Sequence, residues 1–194
     1  TQNTQDAIND EGGSRSAKLV VTFAKNLDPE YFKSLFDGVD DHLMNSGIAP
    51  TSVDWGSPHA LIIEDFGTTG LTGSYLDKDK NNFSDFWRRH GRSNKGGTSL
   101  GRWGLGKLVF SNSSLLRCFF GLTIRSDDQK ELLMGQAVLS NHSVAGNEYA
   151  PHGFFADQDD QPDSIQIPIT DVDFINQFKK EITLKRQMES GLSL

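Results

Sequence analysis

The stretch Leu61-Ile62-Ile63-Glu64-Asp65-Phe66-Gly67-Thr68-Thr69-Gly70-Leu71-Thr72-Gly73 limits the fold of this chain more than any other. An apolar run delivers a carboxylate, and glycines follow at 67, 70 and 73. Consecutive apolar residues ahead of Glu64 predict a buried strand. Asp65 then stands at the strand's end, where open α/β sheets place ligands. Glycine permits positive φ and lets the backbone come close to a ligand. The same residues also fit a plain strand-end turn in which Asp65 caps its own loop. On this stretch alone both readings stand.

A second stretch, Ser99-Leu100-Gly101-Arg102-Trp103-Gly104-Leu105-Gly106-Lys107-Leu108-Val109-Phe110, sets three glycines ahead of an apolar run. It predicts a loop feeding a helix over 104–114, whose free N–H groups and positive dipole end suit a phosphate. A dinucleotide fingerprint needs a strand immediately before its glycines. Residues 91–99 are polar and glycine-rich instead, which argues against a Rossmann fold. The third stretch is Asn3-Thr4-Gln5-Asp6-Ala7. On a helix, Asn3, Asp6 and Ala7 share a face, and an amide with a carboxylate can hold a hydrated magnesium ion. A polar helix end in solvent is the other reading.

Together and in this order, the three stretches resemble the ATP-binding domain of the GHKL superfamily, which includes DNA gyrase B subunits, heat-shock chaperones, histidine kinases and mismatch-repair ATPases. Asn3-x-x-Asp6-Ala7 is similar to the family's N box, Asp65-x-Gly67 to the box that reads adenine, and Gly101-x-x-Gly104-x-Gly106 to the glycine box beside the phosphates. The resemblance implies an α/β, or α+β, two-layer sandwich of the Bergerat type, with a mixed, mostly antiparallel sheet and helices on one face. It implies ATP and Mg2+ as ligands, with Asn3 on the metal. Asp65 would accept from the adenine amino group. Gly67, Gly70, Gly101, Gly104, Leu105, Gly106 and Lys107 would line ribose and phosphates, with Asp6 beside them. Residues 76–100 would form the ATP lid, with Lys95 facing phosphate. Ser164 would stand where the family places a threonine beside adenine.

Two departures from the family pattern are visible. Thr68-Thr69 puts two residues between the glycines of the adenine box, where the family has one. The glutamate that precedes the N-box asparagine and serves as general base would fall ahead of Thr1. These residues alone are therefore expected to bind ATP and to hydrolyse it slowly. The chain is expected to be a fragment of a longer ATPase, which nucleotide binding and lid closure would drive through downstream domains, with pairing of two copies on ATP binding. A histidine kinase catalytic domain and a non-hydrolysing nucleotide switch are the alternatives. The Asp6-Ala7 pair and the continuous lid from Ser93 to Lys107 look more like the gyrase, chaperone and repair branches.

At 194 residues the chain fits one domain, with segments 26–58 and 141–162 expected as insertions. A net charge of −7 does not mark this domain as a nucleic-acid binder. Cys118 is the single cysteine, so no internal disulfide can form, and its apolar neighbours predict a buried, inert thiol. No apolar run approaches a membrane span, and a cytoplasmic location is expected. The histidines at 42, 59, 90, 142 and 152 show no metal-ligand spacing.

Along the chain, residues 17–24 predict a strand. Asp28-Pro29 starts a helix with Asp as cap and Pro at its first position, and residues 83–90 suit a short helix. Residues 116–125 and 131–140 predict a hairpin. Residues 141–162 read as a polar loop and 164–169 as a strand. Asp171 is expected to cap a helix running to about Arg186.

Overall fold

The computed structural model describes residues 4, 7–8, 16–49, 53–76, 80–88, 108–158 and 165–194. β1 (Lys18–Ala24) leads to α1 (Pro29–Ser34) and α2 (Asp40–Asn45), followed by β2 (Ala60–Phe66), α3 (Asn82–Trp87) and α4 (Leu108–Ser113). The hairpin β3 (Cys118–Ile124) and β4 (Glu131–Val138) comes next, then β5 (His142–Val144), β6 (Asn147–Tyr149), β7 (His152–Phe155), β8 (Asp157–Gln158) and β9 (Gln166–Ile167). α5 (Val172–Glu181) and β10 (Gly191–Ser193) close the order.

One sheet of six strands organises the molecule, in the order β1-β2-β10-β3-β4-β7 and antiparallel throughout. Its side chains alternate between two faces, as the pleat requires. On the first face, Ile62, Leu122 and Leu133 meet Ile175, Phe178 and Ile182 of the α5 region, with Phe32 and Phe36 packed alongside. On the second, Phe119, Leu132 and Met134 meet Phe83 and Trp87 of α3, with Phe110 of α4 against them. Trp87 stacks flat on Phe119, the ring centroids 5.6 Å apart and the planes within 8°.

The class is therefore α+β, with an antiparallel sheet. The expectation of helices on one face is corrected: α1 and α5 cover one face, α3 and α4 the other. The cause is composition. Both faces of the β3–β4 hairpin carry large apolar side chains, each worth about 1.5–3 kcal/mol when buried, so each face needs a cover. Residues 141–158 are corrected too. β5 and β6 form a hairpin of their own, and β7 joins the main sheet beside β4. Strands of three or four residues are too short to leave a period in a sequence window.

The caps read from sequence hold the helices they announced. Asp28 accepts from the Tyr31 N–H at 2.6 Å, and Asp171 from the Phe174 N–H at 2.7 Å. Among the described residues no helix is long and apolar enough to cross a membrane.

Candidate functional site

β2 carries Ile62, Glu64 and Phe66 toward the first face, and Leu61, Ile63 and Asp65 toward the second. Ile63 and Leu194 exchange two main-chain hydrogen bonds of 2.8 Å. Regular pairing would repeat that exchange between Asp65 and Leu192, but the ladder changes there. The Leu192 N–H donates to Asp65 Oδ1 at 2.8 Å, and the Asp65 carbonyl accepts from Arg186 Nη2 instead. Gly191 approaches so closely that a β-carbon would collide with the Asp65 carbonyl oxygen. The carboxylate thus stands in for a main-chain acceptor and is fixed by the sheet. Its Oδ1 also accepts from Thr68 Oγ1 at 2.8 Å. Among the described residues, Oδ2 takes no hydrogen bond.

A buried clasp on the opposite face holds this arrangement. Glu64 is 0% exposed and accepts from the Lys185 N–H at 2.9 Å, the Arg186 N–H at 3.0 Å and Ser193 Oγ at 3.0 Å. Arg186, also 0% exposed, donates Nε to Ser193 Oγ at 2.8 Å and Nη1 to the Glu189 carbonyl at 2.7 Å. Its guanidinium lies 4.6 Å from the Phe66 ring centre. Burial lowers the pKa of this arginine from its ordinary value, against the opposing pull of Asp65, Glu64 and Glu189. Strand alternation puts Glu64 on the other face from Asp65, and there it lies. The sequence places Arg186 at the end of a helix and hides its role; α5 stops at Glu181, and the chain turns so that the Lys185 and Arg186 N–H groups reach Glu64.

The loop after β2 is shaped by its glycines. Gly67 and Gly70 have φ of +74° and +65°. A β-carbon on Gly70 would also lie 2.5 Å from the Ile124 carbonyl oxygen and 2.6 Å from Thr123 Oγ1. Both glycines were expected to line ribose and phosphates; contact with β3 already gives Gly70 a reason to lack a side chain. Thr123, 1% exposed, secures the loop by donating to the Gly191 carbonyl and accepting from the Leu71 N–H, each at 2.9 Å. Its alternation position on a regular strand gave no hint of that.

The N-terminal segment meets this loop. Ile8 forms an antiparallel bridge with Thr68, the Thr69 N–H donates to the Ala7 carbonyl at 2.8 Å, and Thr4 is buried. Ala7 therefore sits beside the turn that carries Asp65, although the sequence keeps the two motifs far apart. Asn3, Asp6, Lys95, Gly101, Gly104, Leu105, Gly106, Lys107 and Ser164 lie outside the described residues, as does most of the lid segment 76–100. Among the described residues, no three His, Cys, Asp or Glu side chains are grouped to hold a metal ion. Asp65 is thus an anchored carboxylate, held through Oδ1 by Thr68 and the Leu192 N–H.

A second polar cluster lies elsewhere, in a cavity of about 450 Å³ lined in part by His42, His142 and Tyr149. His42 Nδ1 and His142 Nε2 are 2.8 Å apart, and His142 Nδ1 is 2.8 Å from the Ser140 carbonyl. Because that carbonyl can only accept, His142 Nδ1 donates to it. Tyr149 stacks on His142 and meets His42 edge-on. Sequence spacing did not bring these rings together; the packing of α2 on β5 does. Comparison with family models, curated proteins and solved structures gave no match to the chain.

Proposed function

We propose that this chain is an ATP-binding domain of the GHKL type, in which nucleotide and magnesium binding close a lid and drive a larger protein. One observation carries the proposal. Ala7 and Ile8, at the end of the N-box-like motif, lie against Thr68 and Thr69, in the turn that anchors Asp65. Two motifs that resemble parts of one nucleotide site are neighbours in space.

In this proposal Asp65 Oδ2 accepts a hydrogen bond from the adenine amino group. Thr68 and the Leu192 N–H hold the carboxylate still, so little ordering cost falls on binding. Asn3 holds magnesium and Asp6 stands beside it, while the glycine box and Lys107 take the phosphates. Bound ATP with its metal supplies the phosphoryl group and a charge that closure of the lid can sense.

The test is calorimetric titration of ATP, with magnesium, into the protein and into Asp65→Asn. The amide oxygen can keep both bonds that Oδ1 makes, so the variant should fold. Its N–H group would then face the adenine amino group as donor against donor. A hydrogen bond to a charged acceptor is worth about 1.5–3 kcal/mol, so affinity should fall about ten- to a hundredfold. Equal affinities would remove Asp65 from the site.

A further inference from the structure

β1 is an outer strand of the six-stranded sheet, and among the described residues it pairs with β2 alone. Ile63 exchanges its main-chain bonds with Leu194, so alternation turns those of Ile62, Glu64 and Phe66 toward β1. Their partners Thr22, Val20 and Lys18 are bonded inward, and Leu19, Val21 and Phe23 turn their N–H and carbonyl groups to the open edge. The same residues stand opposite Asp65, Ile63 and Leu61, which puts their side chains on the second face. That face is bare here. Val21 is 61% and Phe23 57% exposed, and Leu19 and Leu61 beside them are exposed as well.

Open edges usually carry a device that stops pairing: proline, a bulge, a charge in mid-strand, or shortness. β7, at the far side of the sheet, is only four residues long. β1 runs for seven, and from Leu19 to Ala24 it holds neither charge nor proline. Its register with β2 is unbroken by any bulge. The charges sit at its two ends instead. Lys18 lies over Phe66, 5.3 Å from the ring centre, and Lys25 over Phe23 at 5.5 Å. Both lysines are exposed, and among the described residues neither has a carboxylate partner.

We propose that β1 is a docking edge for an extended segment of another protein, antiparallel to it, apolar at alternate positions and acidic at both ends. Residues of that segment opposite Phe23, Val21 and Leu19 exchange main-chain bonds with them, which supplies affinity. Their side chains lie on the second face and extend the apolar surface of β1 and Leu61. Acids opposite Lys25 and Lys18 meet the two unpaired ammonium groups and fix the register. A second copy of this chain fits less well. β1 set against β1 offers neither lysine an acid, because no Asp or Glu lies from Ala17 to Leu27.

The probe is the end-capped peptide Glu-Thr-Val-Thr-Val-Thr-Val-Glu, titrated into the protein and followed by NMR. The amides of Leu19, Val21 and Phe23 should shift along one saturable curve and exchange at least about tenfold more slowly at saturation. The same peptide with Lys at both ends should bind at least about fourfold more weakly. The Lys18→Glu, Lys25→Glu double variant, altered only at exposed positions, should reverse that order. Proline in place of the middle valine should abolish binding, since it removes the N–H offered to the Val21 carbonyl. No saturable shift of these amides, equal affinity for the two peptide ends, or retained binding of the proline peptide would overturn the proposal. So would strong protection of the same amides without peptide. Protection that rose with protein concentration would mean that a second copy covers the edge, and protection independent of concentration that the chain covers its own.

Discussion

Replacing Glu64 by Gln tests whether the buried clasp holds the candidate site in place. The wild-type carboxylate is surrounded by donors: the Lys185 N–H on Oε2, and the Arg186 N–H and Ser193 Oγ on Oε1. A carboxamide has one oxygen. If that oxygen keeps the Arg186 and Ser193 bonds, its NH2 group faces the Lys185 N–H; the flipped rotamer faces the Arg186 N–H instead. Either way two donors oppose each other in a site with no exposure. Losing a bond to a charged acceptor costs about 1.5–3 kcal/mol. Removing the negative partner near a buried guanidinium adds to it, toward the 3–5 kcal/mol seen when buried pairs are broken. A loss of about 3 kcal/mol is expected, which for a chain of this size lowers Tm by roughly 6–12 °C. Urea unfolding followed by tryptophan fluorescence measures it, with Ser193→Ala as a milder companion expected to lose about 1 kcal/mol. A Glu64→Gln variant within about 0.5 kcal/mol of wild type would refute the assignment of Glu64 as the acceptor that ties the 185–193 turn to β2.

Gly70→Ala should destabilise by at least about 2 kcal/mol, because the residue has φ of +65° and its β-carbon would press on the Ile124 carbonyl; unchanged urea unfolding would contradict the contact. The Arg125 guanidinium beside Asp128 holds that carboxyl down to about 2, and the pair sits at the β3–β4 turn with the aspartate side chain 30% exposed. A depressed carboxyl stabilises above its unfolded value and loses that contribution as pH falls through the folded one. The stability difference between wild type and Asp128→Asn should therefore be flat and under about 1 kcal/mol above pH ~5. It should shrink between about pH 4 and 2, and a difference that grew toward acid would contradict the pairing.

Some of this was legible because the signals were local. The apolar run of β2, the Asp28 and Asp171 caps and the β3–β4 hairpin each rest on neighbouring residues, and the structure has them. What escaped is what needs distant partners. The last residues, 189–194, read as the start of an apolar strand, and β10 is there, but its place between β2 and β3 depends on their unpaired edges, which no window can display. Arg186 reads as a surface cation until Glu64 and the Asp65 carbonyl are set beside it. Thr68 and Leu192 anchor Asp65 by a side-chain contact and a non-local one, so the sequence showed the carboxylate but not its anchoring. Cys118 is half-buried rather than fully buried as its apolar neighbours suggest, and burial pushes its thiol up to about 12. Helices on both faces follow from Phe83 and Trp87, whose apolar bulk was visible but whose side of the sheet was not.

The central proposal is that the N-terminal segment and the Asp65 turn form one nucleotide site, and NMR titration of ATP with magnesium tests it most directly. The amides of Ala7, Ile8, Thr68, Thr69 and Leu192 should shift together along one saturable curve. The same titration into Asp65→Asn should need about ten- to a hundredfold more ATP to reach the midpoint. Shifts confined to residues around His42, His142 and Tyr149, or no saturable shift at all, would contradict the nucleotide site.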